Sequence, residues 1–313
     1  MTQPLPVILL TDENEKVKQA LEGKVEYLSW DEADQRPDEV VGMLIYGHPT
    51  INGEVMDRYP NLRMISNCGV GVDHIEIADA VERNIRVGNT PGVLSEATAD
   101  MAFTLLLAAG RRLIEGDHYA RSAEFTKFDS SYMLGTEVSG STLGIIGLGR
   151  IGLEVARRGL GFNMRVLYHN RKPKRIEDPA IEASYVSKDQ LLRRSDYVVI
   201  VVPLNEETRD LISYEEFEKM KPTAVLVNVA RGGVVNTDAI TKALQTRQIY
   251  AAGLDVTEPE PLPRDHPLLK QQNLTIAPHL GSATIQTRQK MLNLSVSNLL
   301  NGVRGDEIVT SVM

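Results

Sequence analysis

Three side chains suited to proton transfer and charge stabilisation each follow an apolar run: Arg231, Glu260 and His279. Such runs are typical of buried parallel strands, whose carboxyl ends meet at the edge of the sheet that holds ligands. A guanidinium can bind a carboxylate through two hydrogen bonds and polarise a carbonyl. An imidazole can donate or accept a proton near neutral pH, and a neighbouring carboxylate favours its charged form. Taken singly, each residue also fits a structural role, as a capping arginine, a solvated loop glutamate or a hydrogen-bonded histidine.

A glycine motif upstream in the chain indicates which ligand would bind beside these side chains. Gly147, Gly149 and Gly152 fit G-x-G-x-x-G between an apolar run at 143–146 and a helical pattern that leads to a second run at 164–168. In a dinucleotide-binding unit the first glycine allows a tight turn, the second admits a pyrophosphate, and the third lets helix and strand pack closely. The helix N-terminus adds partial positive charge for the phosphates. A dinucleotide site beside the three side chains predicts a hydride-transfer centre.

The end of the second run bears on which dinucleotide is bound. NAD sites place an acidic residue about 20 residues beyond the glycines, on the ribose hydroxyl. Here the run continues into Asn170, Arg171 and Lys172, and no acidic residue occurs from Met164 until Glu177. Arg171 can pair with a 2′-phosphate, Lys172 adds charge and Asn170 can donate a hydrogen bond. We therefore expect NADP(H) to be preferred and NAD(H) to be possible; a solvated basic turn is the alternative.

Bulk properties exclude several classes of protein. The 313 residues carry a net charge of −8, which argues against a nucleic-acid surface because no broad basic stripe is available. A single cysteine, Cys68, rules out an intrachain disulfide framework. No apolar segment has membrane-spanning length, and the first residues lack the basic start of a signal peptide. We expect a cytoplasmic protein without a metal site.

Strands alternate with helices on both sides of the glycine motif, which predicts an α/β protein with two doubly wound parallel-sheet domains. A Rossmann cofactor domain at 96–283 is expected to be inserted in a flavodoxin-like substrate-binding domain formed by 1–95 and 284–313. The division follows from the last helical pattern, 284–301, which has no strand after it within the cofactor domain and is expected to pack on the first domain.

Two segments at the start of the cofactor domain stand out. An apolar helix is predicted at 95–112, with Ser95 as N-cap and Arg111 and Arg112 in its last turn. The next segment has no clear periodicity and is rich in aromatic and large apolar residues, which favours an oligomer contact. These residues are Phe125, Phe128, Tyr132, Met133 and Leu134.

Five motifs together carry a resemblance to a known family. They are VGVDH at 70–74, GIIGLGRIG at 144–152, NVARG at 228–232, AGLDV at 252–256 and PHLGSA at 278–283. With them the chain resembles the D-isomer-specific 2-hydroxyacid dehydrogenases, and within that family it is most similar to glyoxylate/hydroxypyruvate reductases. The resemblance covers nearly the whole chain.

The resemblance implies a role for each site residue. Arg231 would bind the substrate carboxylate, His279 would act as acid and base, and Glu260, rather than Glu258, would be the partner of His279. Backbone N–H groups of Val70 and Gly71 would hold the other carboxylate oxygen, Asp255 would orient the nicotinamide amide, and the protein would be a homodimer. The residues predicted to contact the cofactor are Thr98, Gly147, Gly149, Arg150, Ile151, Gly152, Asn170, Arg171, Lys172, Val202, Pro203, Thr208, Val229, Ala230, Asp255, His279 and Ser282. Those predicted to contact the substrate are Val70, Gly71, Arg231, His279 and Ser282.

The expected activity is NADPH-dependent reduction of glyoxylate or hydroxypyruvate to the D-2-hydroxy acid. Activity on D-3-phosphoglycerate or 2-ketogluconate stays open, because the sequence does not rank small 2-keto acids. A dinucleotide-sensing scaffold is the alternative from another class of protein, since some relatives of this family retain the three polar residues in such a role.

Overall fold

The computed structural model describes residues 4–12 and 14–312. Contacts divide the chain into two compact units. One holds the described residues up to Leu94 and those from Thr284 onward, and the other is Ser95–Ala283. The sequence placed this division one residue later, after residue 95.

The elements follow in chain order. The strands are β1 (Val7–Leu10), β2 (Glu26–Leu28), β3 (Val40–Ile45), β4 (Met64–Asn67), β5 (Arg86–Gly88), β6 (Thr142–Ile146), β7 (Arg165–His169), β8 (Ala183–Tyr185), β9 (Tyr197–Ile200), β10 (Val225–Asn228), β11 (Ala251–Leu254) and β12 (Leu274–Ile276). The helices are α1 (Glu15–Leu21), α2 (Trp30–Gln35), α3 (Gly53–Asp57), α4 (Ile77–Glu82), α5 (Ser95–Gly110), α6 (Leu113–Arg121), α7 (Arg150–Gly161), α8 (Lys188–Arg194), α9 (Tyr214–Lys219), α10 (Thr237–Gln245) and α11 (Ile285–Arg304). Short 3-10 turns lie at Pro37–Glu39, Gly232–Val234 and Pro267–Lys270.

The first unit is built on a five-stranded parallel sheet in the order β2-β1-β3-β4-β5. Successive side chains of a strand point to opposite faces of the sheet, and each face of this sheet is covered by an apolar cluster. Leu9 and Met43 enter one apolar cluster, whereas Ile8 and Leu44 enter the other. Helix α11 packs on β3 and β4, so the chain beyond Thr284 supplies part of this unit's core.

The second unit has a seven-stranded parallel sheet in the order β12-β11-β10-β9-β6-β7-β8. Strand β6, which leads into the glycine motif, lies between β7 and β9. Strand order therefore reverses at β6, and open α/β sheets bind ligands at the carboxyl ends of the strands beside such a reversal. Two parallel-sheet α/β domains, one of them a Rossmann domain, confirm the predicted fold class.

The structure differs from the sequence-based elements around the apolar helix. Helix α5 ends at Gly110, so Arg111 and Arg112 lie beyond its last turn, and Ser95 is its first helical residue rather than its cap. Arg112 is left-handed with φ 54° and is the N-cap of α6, and its guanidinium lies 2.6 Å from Glu115. Because a left-handed residue cannot continue a right-handed helix, Arg112 separates α5 from α6.

Strand β8 was also not predicted. It has three residues, none of them fully buried, and forms the edge of the sheet beside β7, so it lacks the apolar run that marks the inner strands. Within residues 4–12 and 14–312, no helix combines the length and the apolar character needed to cross a membrane.

Candidate active site

The glycine loop joins β6 to α7 and leaves open space in front of the helix. Gly147 has φ +102°, a backbone conformation that side-chain-bearing residues rarely adopt, and it packs against Val202. A methyl group on Gly149 would meet nothing within 4 Å, whereas one on Gly152 would collide with the Gly147 carbonyl oxygen. The loop and the first N–H groups of α7 therefore form a cradle that fits the pyrophosphate of a dinucleotide.

The turn after β7 is joined to this loop. The Leu148 N–H donates to Asn170 Oδ1 at 2.6 Å, which links the strand end to the middle of the glycine motif. Arg171 follows with 84% of its side chain exposed, and its Nη1 lies 2.9 Å from Glu207. Lys172 is exposed as well. The basic residues predicted to select the cofactor therefore face solvent beside the phosphate cradle.

The other predicted cofactor residues lie on neighbouring elements of the same unit. Val202 and Pro203 follow β9, where the Thr208 hydroxyl donates to the Pro203 carbonyl oxygen at 2.6 Å. Val229 and Ala230 follow β10. The rest are Arg150 and Ile151 in the first turn of α7, Thr98 buried in α5, and Ser282 in the turn after β12.

Arg231 is positioned by the loop after β10. The Asn228 amide donates to the Arg231 carbonyl oxygen at 2.8 Å, and its Oδ1 accepts the Ala230 N–H at 3.0 Å. The half-buried Arg231 guanidinium donates to the Ala230 carbonyl oxygen at 2.9 Å. At Gly232 a side chain would collide with the backbone of Thr257, so the loops after β10 and β11 pack closely.

His279 and Glu260 are in direct contact. His279 Nδ1 lies 2.8 Å from Glu260 Oε1, although the two residues follow different strands, β12 and β11. His279 adopts a left-handed backbone with φ 58°, which is uncommon for a residue with a side chain. A carboxylate at this distance holds the orientation of the imidazole ring.

Asp255 builds the turn that presents His279. This residue is 2% exposed, and its two carboxylate oxygens accept the N–H groups of Leu280 and Gly281, each at 2.7 Å. Its carbonyl oxygen also accepts the His279 N–H at 2.8 Å. Burial raises the pKa of Asp255, while the two N–H donors act in the opposite direction. The resemblance implies that Asp255 orients the nicotinamide amide. In the structure Asp255 also holds the backbone N–H groups of His279, Leu280 and Gly281.

The neighbouring glutamate is used differently. Glu258 pairs with Arg209 at 2.9 Å, and its carbonyl oxygen accepts the Thr237 hydroxyl at 2.8 Å. Only two residues further on, Glu260 meets the imidazole instead. The alternating Glu-Pro-Glu-Pro sequence therefore supplies one glutamate to a surface ion pair and the other to His279.

Val70 and Gly71 belong to the first unit, in the loop after β4. Asn67, buried at the end of that strand, donates from Nδ2 to the carbonyl oxygens of Gly69 at 3.2 Å and Gly71 at 2.9 Å. Asn89, which follows β5, donates to the Val70 carbonyl oxygen at 2.9 Å. The loop is thus held through its carbonyl oxygens.

Comparisons with known proteins identify the family. The family model for D-isomer specific 2-hydroxyacid dehydrogenases, NAD binding domain, matches residues 103–281. A glyoxylate reductase of Pyrococcus horikoshii is 41% identical over 314 residues, which cover 96% of this chain and 94% of that protein. The chain belongs to the D-isomer-specific 2-hydroxyacid dehydrogenase family.

Solved structures of relatives share the fold of this dehydrogenase. The NADPH-dependent glyoxylate/hydroxypyruvate reductase of Sinorhizobium meliloti, in complex with NADP and malonate, has a TM-score of 0.88 at 32% identity, covering 98% of this chain and 96% of that one. A D-lactate dehydrogenase of Aquifex aeolicus, in complex with NAD and lactic acid, has a TM-score of 0.89 at 27% identity, covering 98% of both chains. This dehydrogenase is accordingly an NAD(P)-dependent oxidoreductase whose Rossmann domain binds a nicotinamide dinucleotide.

Three buried or half-buried asparagines of this dehydrogenase were not identified from the sequence. Asn67 and Asn228 are the last residues of β4 and β10, and each bonds to the loop that follows it. Asn89 holds the Val70 carbonyl oxygen. An asparagine at the end of an apolar run is the signal that could have revealed the first two, because its side chain readily hydrogen-bonds to nearby backbone.

Proposed function

We propose that this dehydrogenase reduces glyoxylate or hydroxypyruvate to the corresponding D-2-hydroxy acid with NADPH. The second unit would bind the cofactor, and the first unit would contribute substrate contacts. The observation that carries the proposal is the 2.8 Å contact between His279 and Glu260 at the carboxyl edge of the sheet that holds the glycine loop.

Each residue of the site has a chemical role in this reaction. A bound reduced nicotinamide supplies the hydride. The His279 imidazolium donates the proton that the keto oxygen needs, and Glu260 stabilises the charged ring and holds its orientation. Arg231 binds the substrate carboxylate and polarises the keto group, for which its planar fork is better suited than a lysine.

The substrate carboxylate would also meet the Val70 and Gly71 N–H groups. Backbone donors that are held in place bind a carboxylate without the cost of ordering a side chain. In a protein with a net charge of −8, such local donors are required to attract an anionic substrate. Glyoxylate is favoured among 2-keto acids because the relatives at 41–47% identity include many glyoxylate reductases. Hydroxypyruvate is included because the Sinorhizobium meliloti relative is a glyoxylate/hydroxypyruvate reductase.

Preference for NADPH is supported by the turn at Asn170–Lys172. It carries two exposed cations and no carboxylate of its own, and it is joined to the phosphate cradle through Asn170. The Arg171–Glu207 ion pair is exposed, so it contributes little stability and can yield to a 2′-phosphate.

We also infer that the enzyme is a homodimer that buries the aromatic segment 125–134. Phe128 is 83% exposed and Leu134 67% exposed, and Phe125 and Tyr132 surround Tyr119 at ring distances of 5.4 and 4.9 Å. Contiguous exposed apolar residues of this kind mark protein–protein contacts.

A turnover panel tests the proposed activity. Glyoxylate, hydroxypyruvate, pyruvate, 2-ketogluconate and phosphohydroxypyruvate are each offered with NADPH and with NADH. The proposal expects the highest kcat/KM for glyoxylate or hydroxypyruvate with NADPH. A higher value for phosphohydroxypyruvate or 2-ketogluconate would overturn the substrate assignment, and absence of turnover in all ten combinations would overturn the activity.

A further inference from the structure

Asn89, just after β5, connects two parts of the first unit. Its side chain donates to the Val70 carbonyl oxygen at 2.9 Å. Its own carbonyl oxygen accepts two hydrogen bonds, from the Thr310 hydroxyl at 2.6 Å and from Asn298 Nδ2 at 3.0 Å. One residue therefore contacts the loop that carries Val70 on one side and the late part of the chain on the other.

Asn298 and Thr310 form a closed polar cluster behind Asn89. Asn298 is fully buried in α11, its Oδ1 accepts the Thr310 N–H at 3.1 Å, and its Nδ2 lies 2.9 Å from the Thr310 hydroxyl. The segment around Thr310 runs along β5, with an antiparallel bridge between Gly88 and Ser311. Buried polar groups that are all hydrogen-bonded restrict their neighbours to one arrangement.

The bonds of this network determine where two N–H groups point. A peptide group is planar and trans, so its N–H points away from its carbonyl oxygen. Asn89 holds the Val70 carbonyl oxygen, which directs the Gly71 N–H to the opposite side. The Gly69 carbonyl oxygen accepts the Thr90 N–H at 3.0 Å, in addition to the bond from Asn67, which directs the Val70 N–H likewise.

We propose that Thr310 and Asn298 are positioning residues for the carboxylate-binding loop and act on it through Asn89. The inference rests on the proposed function, in which Val70 and Gly71 bind the substrate carboxylate. Thr310 and Asn298 hold the Asn89 carbonyl oxygen, the Asn89 side chain holds the Val70 carbonyl oxygen, and the N–H donors of the loop are thereby kept in place for the anion. Loss of these hydrogen bonds weakens binding of the substrate carboxylate and leaves cofactor binding unchanged.

The test is the substitution Thr310→Val, which removes the hydroxyl and preserves the shape of the side chain. We expect KM for glyoxylate and the inhibition constant for oxalate each to rise at least about 5-fold, the equivalent of one neutral hydrogen bond. The values of kcat and of KM for NADPH should stay within about 2-fold of wild type. Thr310→Ser retains the hydroxyl and should restore both constants.

A matched control removes a hydroxyl from the same unit outside the cluster. Ser297 is exposed on α11, and its hydroxyl bonds to the Asn293 carbonyl oxygen of its own helix, so Ser297→Ala should leave all constants unchanged. Wild-type values for glyoxylate and oxalate in Thr310→Val would overturn the inference, as would equal rises in KM for glyoxylate and for NADPH. Failure of the wild-type enzyme to reduce any keto acid would instead overturn the proposed function.

Discussion

His279 and Glu260 meet at 2.8 Å, although they follow different strands of the sheet, and Glu258 two residues earlier pairs with Arg209. Because the two glutamates have different partners, their substitution should have different effects. Glu260→Gln removes the carboxylate that holds the His279 ring, so kcat/KM for keto-acid reduction should fall. The loss in kcat/KM at neutral pH should be smaller than that of a His279 variant, because the proton donor itself remains.

Glu258→Gln provides the control for that substitution. It removes an exposed ion pair, whose contribution to stability is about 0–1 kcal/mol, and should leave kcat/KM at the wild-type value. A wild-type kcat/KM in Glu260→Gln, or an equal loss in both variants, would contradict the assignment of Glu260.

The glycine loop gives a second pair of variants with opposite expectations. At Gly149 a methyl group meets nothing within 4 Å, so Gly149→Ala should fold normally while filling the phosphate cradle. We expect KM for NADPH to rise about 10-fold or more, because the methyl group would displace one or two charge-assisted hydrogen bonds to the pyrophosphate. The Tm should be nearly unchanged. Gly152→Ala, whose methyl collides with the Gly147 carbonyl oxygen, should lower Tm. Melting curves and cofactor titrations separate the two effects, and tight NADPH binding by Gly149→Ala would contradict the location of the cradle.

Cofactor preference is tested at Arg171. Arg171→Ala should lower kcat/KM with NADPH about 10-fold or more while changing the value with NADH far less, because only NADPH carries the 2′-phosphate. Arg165 is exposed at the other end of β7, so Arg165→Ala serves as a charge-matched control that should keep the preference. Equal use of the two cofactors by wild type, or an unaltered ratio in Arg171→Ala, would refute the assignment.

The aromatic segment predicts a change in oligomeric state. Light scattering on wild type at micromolar concentration should return twice the chain mass of 34.6 kDa. Phe128→Asp places a charge in the proposed contact and should shift the mass toward a single chain. Tyr214, an exposed aromatic residue at the start of α9, offers the control Tyr214→Asp, which should stay dimeric. A wild-type mass near that of one chain would contradict the homodimer.

The fold was largely predictable because most of its strands and helices are marked by hydrophobic patterns within short stretches of sequence. The apolar runs predicted on either side of the glycine motif form the inner strands β6 and β7, and the last helical pattern forms α11. Strand β8 has no apolar run, and the break after Gly110 coincides with the left-handed backbone of Arg112, so no hydrophobic pattern marks either feature.

The site was predictable only in its chemistry-bearing residues. The ends of β10, β11 and β12 are marked in the sequence, and the resemblance selected Glu260 over Glu258. The partner of Glu258, Arg209, lies 49 residues upstream and was not predicted. The connection from Thr310 through Asn89 to Val70 joins residues that are far apart in the chain. Such contacts are set by tertiary packing and leave no local trace.

The most direct test of the central claim is glyoxylate reduction by wild type and by His279→Asn. Asparagine tolerates the left-handed backbone at this position, φ 58°, but cannot donate the proton as an imidazolium does. With NADPH the variant should lose at least about two orders of magnitude in kcat/KM, while its Tm stays close to that of wild type. Near-wild-type turnover by His279→Asn would contradict the mechanism.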